Sequence, residues 1–169
     1  MKYLYYNQKM FSWGANFSIF DQNDNECYYS DNPVFSWKDR VSIFSKTTGQ
    51  QVLRISQKPF AFRPTYYISD SSDKLLATVY STFQFFRTRM IIESYLGNFE
   101  LKGQFMSMEY TIEKNENIVC SIHKRMFSMK PMYEVQISDD ENELLYIGIL
   151  VALNLLQRAR NNSAAASAT

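Results

Sequence analysis

Five basic residues recur at comparable positions and have side chains that could bind an anion. Lys38, Arg63 and Lys130 each follow a phenylalanine by three residues, and Arg87 and Arg89 lie near the corresponding position of another segment. Lysine and arginine are the side chains that most often bind phosphate and carboxylate groups. The spacing predicts an anion-binding surface if the fold brings these five residues together.

Aromatic residues accompany these cations, namely Trp13, Trp37, Phe62 and Phe86. Aromatic rings suit the interface between water and lipid, and each lysine or arginine near an anionic membrane contributes about 1 kcal/mol of binding. The combination favours anionic phospholipid or a membrane surface as the partner. Charged turns also occur merely because they are solvated, and the sequence leaves that alternative open.

Few other residues could support chemistry. His123 is the only histidine, so a Ser-His-Asp site would require it as the base, and no histidine-rich metal site can form. Cys27 and Cys120 are isolated, which predicts neither a disulfide framework nor a cysteine metal site. There is no P-loop and no dinucleotide fingerprint. We therefore expect a non-enzymatic protein without a cofactor or metal.

Composition limits the partners and the location. Lys and Arg number 18 against 17 Asp and Glu, giving a net charge of +1, so no nucleic-acid partner is expected. The hydrophobic content of 46% is typical of a packed globular protein. The N-terminal segment lacks the apolar core of a signal peptide, and the isolated cysteines favour a reducing compartment. We expect a cytoplasmic protein that can act at the periphery of a membrane.

A repeat must position the candidate residues. "QKMFSWGANFSIFD", "NPVFSWKDRVSIFS" and "QKPFAFRPTYYISD" align without gaps, and the aligned phenylalanines recur every 22 to 25 residues. Within each unit, apolar residues alternate with polar ones and a polar turn follows, which indicates β-hairpins. The repeat predicts twelve strands: 2–12, 16–21, 27–36, 40–45, 51–62, 65–70, 75–86, 89–95, 98–107, 109–114, 117–129 and 132–138.

In some of the long predicted strands, the apolar residues do not stay on odd-numbered or on even-numbered positions throughout. Residues 51–62 and 117–129 switch the parity of their apolar positions, which predicts β-bulges near 57–58 and 123–125. Bulges bend strands, as a closing sheet requires. We therefore expect a mainly β protein in which twelve antiparallel strands form a closed barrel.

Such a barrel is too wide for strand side chains alone to fill, so something apolar must lie inside it. The run from Leu144 to Leu156 is apolar except at Gly148 and Asn154, and is shorter than the roughly 20 residues of a membrane span. Acidic residues precede the run and cations follow it, as the helix dipole favours. We expect a central hydrophobic helix over about 141–158, within one domain of residues 1–158, and a flexible tail over 159–169.

These segments carry a family resemblance. The "QKPFAFRPTYYI" type of unit and the terminal "DENELLYIGILVAL" helix resemble the LURP-one-related proteins of bacteria and plants over about residues 1–158. That family belongs to the tubby C-terminal-like superfamily with the phospholipid scramblases. The resemblance implies a twelve-stranded barrel around a C-terminal helix, but no head-group motif can be transferred. The acidic 139–143 segment occupies the place of a scramblase calcium segment, yet its spacing fits helix capping instead.

Three classes of function are consistent with the sequence. The first is a tubby-like domain that binds anionic lipid head groups through a basic and aromatic rim. The second is an intracellular scaffold for an unknown protein partner, without lipid affinity. The third is a hydrolase that uses His123, which we rank last because no partner residues for a triad are indicated.

Overall fold

The chain forms a closed, twelve-stranded antiparallel barrel with one C-terminal helix, as the repeat predicts. The computed structural model describes residues 1–8, 16–31, 40–82, 87–104, 109–125 and 132–167. Each strand pairs with its neighbours in the sequence, and β1 pairs with both β2 and β12 to close the sheet. The strands are β1 Lys2–Gln8, β2 Phe17–Asp21, β3 Glu26–Ser30, β4 Arg40–Ser45, β5 Gln51–Gln57, β6 Thr65–Asp70, β7 Leu75–Thr82, β8 Arg87–Ser94, β9 Gly97–Gln104, β10 Glu109–Lys114, β11 Asn117–Arg125 and β12 Met132–Ile137.

The barrel has two ends with different connections. In an antiparallel meander, alternate connections lie at opposite ends of the barrel. We call the end that carries the connections from each odd-numbered strand to the next strand the rim, and the other end the base. The helix α1 (Glu143–Ser167) follows β12 at the base and runs toward the rim. The rim is therefore the end at which the predicted basic residues are expected to meet.

Alternation along each strand builds the core. In β4, Val41 and Ile43 are buried at 2% and 0% exposure, whereas Ser42 between them points to the outer wall. Side chains alternate faces because the strand repeats every two residues. The same pattern recurs at Leu53 and Ile55 of β5. The inner wall is thus almost wholly apolar.

Strand β5 is shorter than predicted. The sequence predicts a strand over 51–62, but β5 ends at Gln57 and residues 58–64 form a turn. Pro59 has no N–H for the sheet, and Phe60 adopts a positive φ of 54°, so neither residue can extend the ladder. The ends of several other predicted strands, at 9–12, 32–36, 83–86, 105–107 and 126–129, lie outside the described residues.

The predicted bulges are wrong in position. Pairing of β11 with β12 continues in register through Arg125, so 123–125 carries no bulge in that pairing, while the β10 positions that would face 124 and 125 lie outside the described residues. The parity switch at 57–58 coincides with the end of β5. The register instead shifts directly after an inward isoleucine near the base, at Ile19, Ile43, Ile68 and Ile112. The bulges therefore belong to the repeat, but at its turn side.

The helix fills the barrel. Consecutive residues from Leu145 to Leu153 are buried, so the helix is enclosed on all sides. Asn142 caps its start, because its Oδ1 accepts from the N–H of Leu144 at 3.1 Å. The predicted end near 158 is wrong, because the helix continues to Ser167, and so Arg158 and Arg160 do not lie in the last turn. No helix among the described residues is long and apolar enough to cross a membrane.

Close packing fixes the helix against several strands. A Cβ on Gly148 would lie 2.7 Å from Ile68 Cγ2, so this glycine lets the helix approach β6. On another side, Tyr146 meets Phe99 of β9 edge to face, with ring centroids 6.0 Å apart. At the rim, the Gln157 amide donates to the Tyr110 hydroxyl of β10 at 2.5 Å. The helix is thereby held along its buried length.

Candidate functional site

The fold brings Arg63 and Arg87 to the rim, as predicted. Arg63 lies in the turn between β5 and β6, and Arg87 is the first residue of β8. Arg89 lies one outward position further down β8. Lys38 and Lys130 fall outside the described residues, as do the aromatics Trp13, Trp37 and Phe86. Three of the five predicted basic residues therefore lie in the described part of the chain.

The turn of residues 58–64 presents two apolar side chains to solvent. Phe60 and Phe62 have exposures of 106% and 109%, the highest of the large hydrophobic side chains described. Phe60 and Phe62 lie two residues apart, and neighbouring exposed apolar side chains are more informative than single ones, which are common on protein surfaces. We call residues 58–64 the aromatic turn.

The aromatic turn is anchored at its base by hydrogen bonds. The Lys58 N–H donates to the Thr65 carbonyl at 2.8 Å, and the Ser81 N–H donates to the Pro64 carbonyl at 3.1 Å. The positive φ of Phe60 is unusual for a bulky residue and indicates local backbone strain. The flanking hydrogen bonds hold the chain where it enters and leaves the turn. The two rings are therefore displayed on a fixed support.

Arg63 is oriented by an aromatic neighbour. Its guanidinium carbon lies 3.8 Å from the centroid of the Tyr80 ring on the outer wall of β7. The Tyr80 hydroxyl donates to Glu93 Oε1 at 2.9 Å, which holds the ring in place. Burial of the Tyr80 hydroxyl and its bond to Glu93 raise the pKa of Tyr80, so it stays neutral at physiological pH. The Tyr80 ring thus holds the Arg63 guanidinium beside the exposed phenylalanines.

Arg89 has a structural partner. It forms an ion pair with Glu100 on β9, and its hydrogen bond to that carboxylate is the main cause that lowers the pKa of Glu100. The neighbouring Lys102 binds Glu113 at 2.6 Å. These charges link β8, β9 and β10 on the outer wall. Arg89 is therefore less free to bind a ligand than the sequence suggests.

Arg87 faces a groove that the sequence does not reveal. A groove of about 360 Å³ runs along the outer wall just below the rim, from β8 to β11. Its polar side chains are Arg87, Lys102, Gln104, Glu109, Thr111 and His123. His123 was expected to be an ordinary strand residue, and it lies on the outer wall opposite Glu109. The other members were missed because their proximity depends on strand register.

A polar cluster lies inside the barrel below the rim. Tyr6, Tyr110 and Tyr133 surround Asn154 and Gln157 of the helix at a cavity of about 10 Å³, roughly the space of one water. Burial raises the pKa of all three tyrosine hydroxyls. The Tyr110 hydroxyl accepts from the Gln157 amide, so the cluster gives a polar side chain of the helix a buried partner.

The acidic segment before the helix has structural roles. Glu141 pairs with Lys114 at 3.4 Å and accepts a hydrogen bond from the Tyr146 hydroxyl at 2.9 Å. Glu143 pairs with Lys2 across the base. These contacts are all to side chains, so the two carboxylates anchor the helix start by ion pairs, whereas the backbone cap predicted for this segment is supplied by Asn142.

Comparison with known proteins identifies the family. The model of the family described as LURP-one-related matches residues 2–154, and the chain therefore belongs to that family. The uncharacterized protein YxjI of Bacillus subtilis (strain 168) is 27% identical over 153 residues, which cover 90% of this chain and 92% of that protein. A crystal structure of an Arabidopsis thaliana protein superposes with a TM-score of 0.66 at 18% identity, covering 92% of this chain and 91% of the other. That likeness concerns the fold.

Proposed function

We propose that this chain is a non-enzymatic domain that docks on an anionic membrane surface through its rim. The observation that carries the proposal is the aromatic turn, in which two fully exposed phenylalanines lie between Lys58 and Arg63. An apolar tip flanked by cations matches the order of a membrane surface, where acyl chains lie beneath anionic head groups. The domain works from the cytoplasmic side as a peripheral protein.

The two phenylalanines supply the apolar part of the binding energy. Moving a phenylalanine side chain from water into an apolar phase is worth roughly 2 kcal/mol. Both rings are fully exposed in the free protein, so Phe60 and Phe62 can each gain this transfer free energy on entering the membrane.

The cations supply the electrostatic part. Lys58 is exposed, and the guanidinium of Arg63 is held on Tyr80 directly beside the tip. At about 1 kcal/mol for each cation, the two residues add to the rings without making binding irreversible. The total resembles the marginal, reversible membrane binding that a single acyl chain gives. Both parts must contribute for stable docking.

Vesicle flotation tests the proposal. Purified protein is mixed with neutral phosphatidylcholine vesicles or with vesicles that also contain anionic phosphatidylglycerol, across a salt series. We expect flotation with anionic vesicles at low salt that weakens as salt increases, because exposed charges are screened. Absence of flotation at low salt would contradict the proposal and leave a protein partner as the occupant of the aromatic turn.

Variants identify the surface responsible. Phe62→Ala is expected to weaken vesicle binding about tenfold, since most of the apolar gain of that ring is lost. Ile118→Ala is the matched control, because Ile118 is also an exposed hydrophobic residue, at 58%, but lies at the base. Equal effects of the two variants would indicate nonspecific adhesion instead of docking through the rim.

A further inference from the structure

The outer-wall groove places opposite charges on its two sides. Arg87, Gln104, Glu109 and His123 form one row, because each is the register partner of the next across β8, β9, β10 and β11. Neighbouring strands lie about 4.8 Å apart, so the backbones at Arg87 and Glu109 are about 10 Å apart. A cation therefore lies on the β8 side and a carboxylate on the β10 side.

These two charges are held apart. Lower on the wall, Arg89 pairs with Glu100, and Lys102 pairs with Glu113. Arg87 and Glu109, in contrast, form no ion pair with each other or with any other charged group in the parts of the chain that the structure describes. Gln104 separates them in the row. The groove of about 360 Å³ thus has an open position for an anion at one side and for a cation at the other.

We propose that the groove binds an aminoalkyl phosphate, the chemistry of a phosphoethanolamine group. The phosphate accepts hydrogen bonds from the Arg87 guanidinium. The ammonium group donates to the Glu109 carboxylate, and the amide of Gln104 lies between the two ends. The groove volume accommodates such a group with room for water.

The groove also has a suitable location. Arg87 begins β8, Gln104 ends β9 and Glu109 begins β10, so all three lie at the rim. A phospholipid head group could reach the groove when the rim meets a membrane. The assignment to a lipid rests on the proposed function, whereas binding of the free aminoalkyl phosphate does not.

Calorimetric titration without vesicles tests the proposal. O-phosphoethanolamine is compared with its two halves, inorganic phosphate and ethanolamine. Because one groove engages both ends, O-phosphoethanolamine should bind about tenfold or more tightly than either half. Binding no tighter than that of inorganic phosphate would overturn the proposal.

Substitutions assign each end of the ligand. Arg87→Gln should reduce O-phosphoethanolamine binding to the level of ethanolamine, and Glu109→Gln should reduce it to the level of phosphate. Lys46→Gln, which removes a 56% exposed lysine at the base, should leave binding unchanged. An equal loss in Arg87→Gln and Lys46→Gln would contradict a site in the groove.

A further ligand separates the two sources. Glycerophosphoethanolamine carries the phosphodiester of a lipid head group, and binding as tight as that of the monoester would support a lipid source. If only the monoester binds, a lipid head group is ruled out as the ligand, but the groove still stands as the binding site. If vesicle flotation fails but O-phosphoethanolamine still binds, only the membrane proposal falls. If the protein still floats with anionic vesicles but does not bind O-phosphoethanolamine, only the proposed ligand site in the groove is contradicted.

Discussion

At the base of the barrel, charged side chains mostly form hydrogen bonds and ion pairs within the protein. At the rim, several side chains face solvent instead. Asp70 Oδ1 accepts from the N–H groups of Ser72 and Lys74 at 2.9 and 3.0 Å, which closes the turn between β6 and β7. Glu141 and Glu143 bind cations and anchor the helix start. At the rim, Phe60 and Phe62 are fully exposed.

The difference indicates where function lies. Tight turns whose polar groups hydrogen-bond to one another stabilise the barrel, and few of those groups remain available to bind a ligand. Exposed apolar rings, and an arginine that forms no ion pair within the described part of the chain, contribute little to stability and are consistent with the proposed binding role. The proposed function therefore assigns binding to the rim and support of the barrel to the base.

Breaking the shared core should have the largest effect, because both ends depend on the helix. Gly148→Ala places a methyl group 2.7 Å from Ile68 Cγ2. We expect a loss of about 1–3 kcal/mol in the free energy of unfolding from overpacking, despite the better helix propensity of alanine. Urea unfolding measures it. Ile68→Ala should relieve the clash, so Gly148→Ala should be less harmful in that background. Stabilisation by Gly148→Ala alone would contradict the packing.

The interior below the rim should respond next. Tyr110→Phe removes the hydroxyl that accepts from the Gln157 amide at 2.5 Å and leaves that buried amide without this partner. We expect a loss of about 1–2 kcal/mol in unfolding free energy. Tyr80→Phe is the control, since its hydroxyl bonds to Glu93 on the outer wall and should change stability by less than about 0.5 kcal/mol. Similar losses would indicate that burial of the polar cluster is unimportant.

Two exposed lysines, one at each end of the barrel, test whether charge at the rim directs vesicle binding. Lys58 and Lys74 are both exposed, one in the aromatic turn at the rim and the other in a turn at the base. Lys58→Gln should weaken binding to anionic vesicles by about 1 kcal/mol, or roughly fivefold. Lys74→Gln should leave it nearly unchanged. Flotation at low salt measures both, and equal sensitivity would mean that overall charge, not the rim, directs binding.

The smallest effect is the pH dependence of a turn at the base. The hydrogen bond from Ser72 is the main cause that lowers the pKa of Asp70. A lowered pKa in the folded state stabilises the protein above the ordinary carboxyl pKa, and this stability is lost as pH falls through the folded pKa. Asp70→Asn should lower Tm slightly at pH 7, with the difference shrinking below about pH 4. A difference in Tm that stays constant with pH would rule out this cause.

Much of the fold was predictable because it follows from local patterns. The spacing of the phenylalanines and the alternation around Val41 and Ile43 predict antiparallel strands, and the uninterrupted apolar run predicts a buried helix. The bulges were placed wrongly because a parity switch can also mean that a strand has ended, as at Gln57. The end of the helix was missed because the segment after Arg160 has small residues that allow a helix without requiring it.

The binding features were only partly predictable. Basic and aromatic residues at recurrent turns indicated the rim, and Arg63 and Arg87 lie there. The pairing of Arg89 with Glu100, and the row that joins Arg87 to Glu109, depend on strand register. Register also depends on the geometry of the connections between strands, which the sequence pattern does not specify. Sequence patterns therefore indicate where the basic and aromatic residues gather but not which side chains remain available for the proposed binding.

Fluorescence at one position on each end tests the central claim most directly. An environment-sensitive dye is attached at Phe62→Cys or at Tyr95→Cys in a chain with Cys27→Ser, in which the remaining Cys120 is buried. Tyr95 is also exposed, at 54%, but lies at the base. With anionic vesicles, the dye at 62 should brighten and shift to the blue while the dye at 95 stays unchanged. A response at 95, or none at 62, would contradict docking through the rim.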